Sequence, residues 1–161
     1  MRDWYKYHNS QLYSECSLVT ALNAQYYLTG KFIKQNSTQY EKLVDLCKAR
    51  EGSAICIEKI YKRLKIEVAR HFESWFDYKR ALSNAKDYTD LYDRLFPAEV
   101  KVWEKHYGFH SVCLVDYEGR STCFRVTNFR YQTSLSGWMF DEDFNHFTEH
   151  GLTSINVFRR C

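Results

Sequence analysis

Phe109-His110-Ser111-Val112-Cys113-Leu114-Val115-Asp116-Tyr117-Glu118-Gly119-Arg120-Ser121-Thr122-Cys123-Phe124-Arg125-Val126-Thr127-Asn128 reads as two extended runs around a turn. Val112, Leu114 and Asp116 alternate with Cys113, Val115 and Tyr117, the period of two that a pleated strand imposes. Glu118-Gly119-Arg120 supplies the turn, and Cys123 to Asn128 the return strand. A histidine opens this predicted hairpin and an asparagine closes it. The two stand 18 residues apart, which fits one hairpin and brings both to the same end of a sheet.

On either side of the hairpin, Ala98, Val100 and Val102 alternate with Glu99 and Lys101 up to a break at Trp103, and Thr153 to Arg159 reads as a last strand. A Ser- and Thr-rich loop is expected up to Gly137, and a short helix from Asp141 to His150, ended by Gly151. Before Pro97 the period is helical. Ser14 is the expected N-cap of a first helix that runs through Leu18, Val19, Leu22, Tyr26 and Tyr27 until Gly30 stops it. Further helices are predicted over Gln39–Lys48, Ser53–Leu64, Trp75–Ala85 and Tyr88–Phe96, with Lys65 to Ala69 short and extended. Helices first and an antiparallel sheet after them predict an α+β fold of two subdomains packed face to face. At 161 residues, one domain is expected over 1–161, its 1–97 half mainly helical and its 98–161 half mainly β.

The first helix begins Ser14-Glu15-Cys16-Ser17-Leu18-Val19. A cysteine in a first turn sits where unpaired N–H groups and the helix dipole favour a thiolate. Cys16, His110 and Asn128, in that order, supply a nucleophile, a base and a residue to orient the base. Taken singly, each has a plainer reading. A lone cysteine in a helix is usually a small apolar residue, a strand histidine is usually a satisfied one, and asparagine tolerates turns. The combination carries the chemistry.

Three segments resemble the papain-like cysteine peptidases, and in compactness the bacteriocin-processing (double-glycine) and related small peptidases. They are Gln11-Leu12-Tyr13-Ser14-Glu15-Cys16, Gly108-Phe109-His110-Ser111-Val112-Cys113-Leu114-Val115, and Phe124-Arg125-Val126-Thr127-Asn128-Phe129. The resemblance implies a nucleophile helix packed on a C-terminal antiparallel sheet. It implies a thiol hydrolase cleaving a peptide or isopeptide bond through a Cys16 thioester, with His110 as base, Asn128 as its orienting partner and Gln11 in the oxyanion hole. It also implies a protein or peptide substrate. Ser17 follows the cysteine where those families usually carry glycine, and the aromatic surplus suits a docking groove. An inactive papain-like scaffold that binds a protein partner is therefore the alternative, beside amidase or transglutaminase-type acyl transfer.

Composition narrows the remaining classes. Lys and Arg number 23 against 20 Asp and Glu, and the resulting +3 is scattered along the chain, so no nucleic-acid partner is expected. The 13 Tyr and 11 Phe fall mostly at helix or strand spacing, as core residues do. Nowhere does the chain reach the ~20 apolar residues of a membrane helix, and no signal-peptide run opens it. A soluble, cytoplasmic protein without a membrane partner is the expectation. The six cysteines lack the dense spacing of disulfide scaffolds, and they form no Cys-x-x-Cys pair. His146 and His150 stand four apart without a third ligand nearby. No metal and no cofactor is expected.

Overall fold

The computed structural model of the chain describes residues 15–47, 57–104, 108–127, 138–140 and 154–161. Helix α1 spans Cys16–Thr29, α2 Thr38–Cys47 and α3 Ile57–Leu64; strand β1 (Ile66–Phe72) follows, then α4 (Trp75–Ser83) and α5 (Tyr88–Leu95). The remaining strands are β2 (Ala98–Glu104), β3 (Gly108–Glu118), β4 (Cys123–Thr127), β5 (Trp138–Phe140) and β6 (Ile155–Arg160). The expected last helix, Asp141 to His150, lies outside the described residues.

Local chemistry sets the helix ends. Gly30 takes the left-handed conformation (φ 72°) in which its N–H donates to the Tyr26 carbonyl, a geometry glycine adopts without a Cβ penalty. Ser74 caps α4 by accepting from the Asp77 N–H at 3.0 Å, and Asp87 caps α5 by accepting from the Asp90 N–H at 2.8 Å. Ser14, the expected cap of α1, lies outside the described residues; Glu15 holds the N-cap position and makes no side-chain cap bond there.

The six strands form one sheet in the order β1-β6-β2-β3-β4-β5, each neighbouring pair antiparallel. The chain's last strand thus inserts between β1 and β2. Two sequence expectations are corrected. The strand predicted at Lys65 to Ala69 runs to Phe72 and joins the sheet through β6, so the helical half contributes an edge strand. Strand β2 does not break at Trp103, because its ladder with β3 continues through Trp103–Phe109 and Glu104–Gly108. Helices cover both faces of the sheet.

Each face has its own core. On one, Leu18, Val19 and Leu22 of α1 pack with Tyr40 and Leu43 of α2, Ile60 of α3, and Cys113, Val115 and Phe158 of the sheet. On the other, Trp75, Tyr78 and Leu82 of α4 and Leu91 and Leu95 of α5 pack on Val100, Val112, Leu114, Phe124 and Val126. Helix α1 is buried continuously from Leu18 to Gln25, which explains why its apolar pattern is less one-sided than a surface helix would show. A bulge between Leu114 and Asp116 corrects the alternation of β3. It moves Tyr117 off the face of Cys113 and Val115 and sets its ring 4.8 Å from that of Phe124.

Candidate active site

Cys16 is the first residue of α1, within the first turn that the sequence predicts. Its thiol takes a hydrogen bond from the backbone of Ser111 and others from the side chain and backbone of Ser17, all of which favour the thiolate. Burial outweighs them, and the Glu99 carboxylate adds to it, so the thiol is pushed above its ordinary range. A helix N-terminus alone predicts the opposite direction. The sequence carries the dipole but not the desolvation, which depends on what covers the helix end.

The Ser111 contact fixes where Cys16 meets the sheet. Lys101 stands opposite Ser111 in the β2–β3 ladder, and the Lys101 N–H donates to Ser154, away from β3, at 3.2 Å. Lys101 and Ser111 are therefore a non-hydrogen-bonded pair, and the Ser111 N–H points to the β4 side. There the described part of β4 ends at Thr127, opposite Cys113. The thiol thus occupies the plane of the sheet beside β3, next to an amide nitrogen two covalent bonds from the His110 Cα. Alternation turns the Ser111 side chain toward α1 and gives His110 the face of Val112. A group bonded to the intervening amide lies between those two faces.

His110 is buried, with 3% of its surface exposed. Gln11 and Asn128 lie outside the described residues. So do His106, a competing base, and the His146–His150 pair; among the described residues no group of three or more His, Cys, Asp or Glu could hold a metal. His71 is exposed on β1, and its Nδ1 sits 2.8 Å from Asn156 Oδ1, which only accepts. Its proton is accordingly on Nδ1.

Three buried polar residues between α1 and the sheet were not singled out as site residues: Thr20, Ser111 and Glu99. Ser111 Oγ lies 2.7 Å from Glu99 Oε2 and 2.9 Å from Thr20 Oγ1. With one proton to give, Ser111 donates to the carboxylate and Thr20 donates to Ser111. The other Glu99 oxygen accepts from Asn156 Nδ2 at 3.1 Å, and Asn156 reaches His71. The result is a polar seam under α1 that crosses β3, β2, β6 and β1. The signal for it was Glu99 itself, a carboxylate in the middle of a strand whose two faces are both covered, only 2% exposed.

The arrangement belongs to the α+β class in which an N-terminal helix packs on an antiparallel sheet. Among solved structures, the chain is similar to the peptidase domain of ComA from Streptococcus, described as a bi-functional ABC transporter involved in a quorum-sensing pathway. The match has a TM-score of 0.63 and 17% identity, and it covers 98% of this chain and 99% of that one. The papain-like peptidase fold that the three segments imply is thereby the fold of this chain. Sequence comparison with protein-family models and with curated proteins finds no match. No helix among the described residues is long and apolar enough to cross a membrane.

Proposed function

We propose that the chain is a papain-like cysteine peptidase that cleaves a peptide or isopeptide bond, with Cys16 as nucleophile and His110 as base. One observation carries the reading: on a fold shared with a peptidase domain, the first residue of α1 is a cysteine whose thiol meets β3 at the amide next to His110. Because burial holds the thiol protonated, the proton leaves as attack proceeds and not before. His110 takes it; the sulfur bonds to the substrate carbonyl carbon; and the oxyanion is held by the Cys16 N–H and Gln11. The C–N bond then breaks and the amine departs with the proton from His110. Water resolves the thioester. Asn128 keeps the imidazole oriented, and the substrate is a protein or peptide.

The test is turnover of a quenched-fluorescent peptide library by the folded protein and its variants. Cys16→Ala and His110→Ala each abolish cleavage, and the double variant is no worse than either, because the pair acts as one unit. Asn128→Ala and Gln11→Ala reduce the rate less. Cleavage that survives Cys16→Ala overturns the assignment.

One observation favours a second reading, a papain-like scaffold that binds a protein partner without catalysis: burial and Glu99 push the Cys16 thiol away from activation. On that reading the partner is held equally well by the Cys16→Ala protein, and no peptide is cleaved by either.

A further inference from the structure

At the other end of α1, about 20 Å along the helix from Cys16 at ~1.5 Å per residue, a cavity of about 360 Å³ opens between the end of α1, α2 and the turn after α3. Lys31, Lys42, Arg63 and Lys65 line it, and among the described residues no Asp or Glu does. Four like charges around one space repel one another, and an anion placed among them relieves that repulsion. Lys65 also sits at φ 57°, a left-handed conformation in which glycine is the residue without a steric cost. The chain keeps a lysine there, on the wall of the cavity.

The same cavity holds a buried polar group with half its capacity unused. Gln25 is 6% exposed; its Nε2 donates to the Leu64 carbonyl at 3.2 Å, and its Oε1 has no hydrogen-bond partner among the described residues. A buried acceptor left unmade is costly, so its place on a cavity wall points to a donor that arrives from the cavity. Phe32, 48% exposed, adds an aromatic ring to the same wall. Cations alone would suit inorganic phosphate; an acceptor and an aromatic ring beside them call for an organic ester.

We infer that this cavity binds a small phosphate monoester that also carries a hydroxyl or amino donor and a planar ring, the class represented by nucleoside monophosphates. The phosphate is held by Lys42, Arg63 and the neighbouring lysines, the donor by Gln25 Oε1, and the ring by Phe32. The volume lies within the roughly 300–1,000 Å³ range of small-molecule sites. The site is independent of the chemistry at Cys16.

The test is an equilibrium titration of the full chain, followed by amide chemical shifts, with adenosine monophosphate, adenosine and inorganic phosphate as separate probes. Adenosine monophosphate binds saturably and at least roughly tenfold more tightly than either of the others. Lys42→Gln with Arg63→Gln weakens it about tenfold or more and flattens its salt dependence. Gln25→Leu reduces affinity for adenosine monophosphate severalfold and leaves that for inorganic phosphate unchanged. If Gln25→Leu does not fold, the variant altered only at exposed Lys42 and Arg63 decides. Unaltered affinity in that double variant, phosphate binding as tight as the ester's, or no saturable binding overturns the inference.

Discussion

The two faces of the sheet are built differently. Beneath α4 and α5, contact is apolar and heavily aromatic: the Trp75 and Tyr117 rings lie 5.0 and 4.8 Å from that of Phe124, and Tyr78 stands edge-on to Phe72 at 5.4 Å. Beneath α1, the apolar contacts of Leu18, Leu22 and Val115 are interrupted by Thr20, Ser111, Glu99 and the Asn23–Thr127 pair. Buried polar groups are expensive unless fully bonded, and a core needs none of them to hold together. The aromatic face therefore carries stability, while the polar face fixes the position of the helix that begins with Cys16. Substitutions on the first should lower stability most and spare Cys16 reactivity; substitutions on the second should cost less stability and alter that reactivity.

The largest expected effect is on the aromatic face. Phe124 is 1% exposed between Trp75 and Tyr117, and Phe124→Ala should cost about 3–5 kcal/mol in denaturant unfolding. The Cys16 reactivity of the fraction still folded should match the parent. Loss of Cys16 reactivity without loss of stability would break the contrast between the faces.

Raising the pH draws on both faces. Tyr78 on one and Cys113 on the other are fully buried, and burial pushes both well up, as it does Cys16. The unfolded chain ionises these groups first, near about 8.5 for thiols and about 10 for tyrosines, so it binds fewer protons than the folded chain above those values. Their stabilisation is therefore complete below about pH 8 and declines as pH rises. Unfolding followed by circular dichroism should show this alkaline loss; stability that is flat from pH 8 to about 11 would contradict the burial of these groups.

Glu99 is the sharpest probe of the polar face. Glu99→Gln keeps an acceptor for Ser111 while removing the charge, and should cost about 1–3 kcal/mol as the seam rearranges. It should also move the Cys16 thiol down toward its ordinary value, read from the pH dependence of its alkylation. An unmoved profile would show that the carboxylate does not act on the thiol. The smallest effect is expected at Asn23→Ala, which removes the 3.2 Å bond from Asn23 to Thr127 and should cost about 1 kcal/mol, with Cys16 reactivity slightly reduced as α1 loosens.

What was legible in the sequence followed period and punctuation. Helices α2 and α4 were legible because both have a clear apolar stripe, and Gly30 closes α1 because its backbone needs φ > 0. The hairpin from β3 to β4 was readable from Gly119 and the alternation around it. Non-local features were not. Nothing within β1 says that it pairs with β6, and the bulge that turns Tyr117 inward depends on its fit against Phe124. Cys16 at the head of α1 could be read from the order of residues, yet its raised thiol could not, since that follows from the cover supplied by distant elements. Glu99 alternates with the apolar residues of β2, and one-sided burial, the usual case for antiparallel sheets, would give it the solvent side. Here α1 covers that side.

The claim that Cys16 acts with His110 is tested most directly by covalent capture. The folded protein is treated with a limiting amount of a peptidyl epoxide at neutral pH, and the modified cysteine is mapped. Cys16 should be captured ahead of exposed Cys161, and His110→Ala should slow that capture by about 100-fold or more, in line with loss of a general base. Capture at Cys161 before Cys16, or a rate at Cys16 that His110→Ala leaves unchanged, would contradict it.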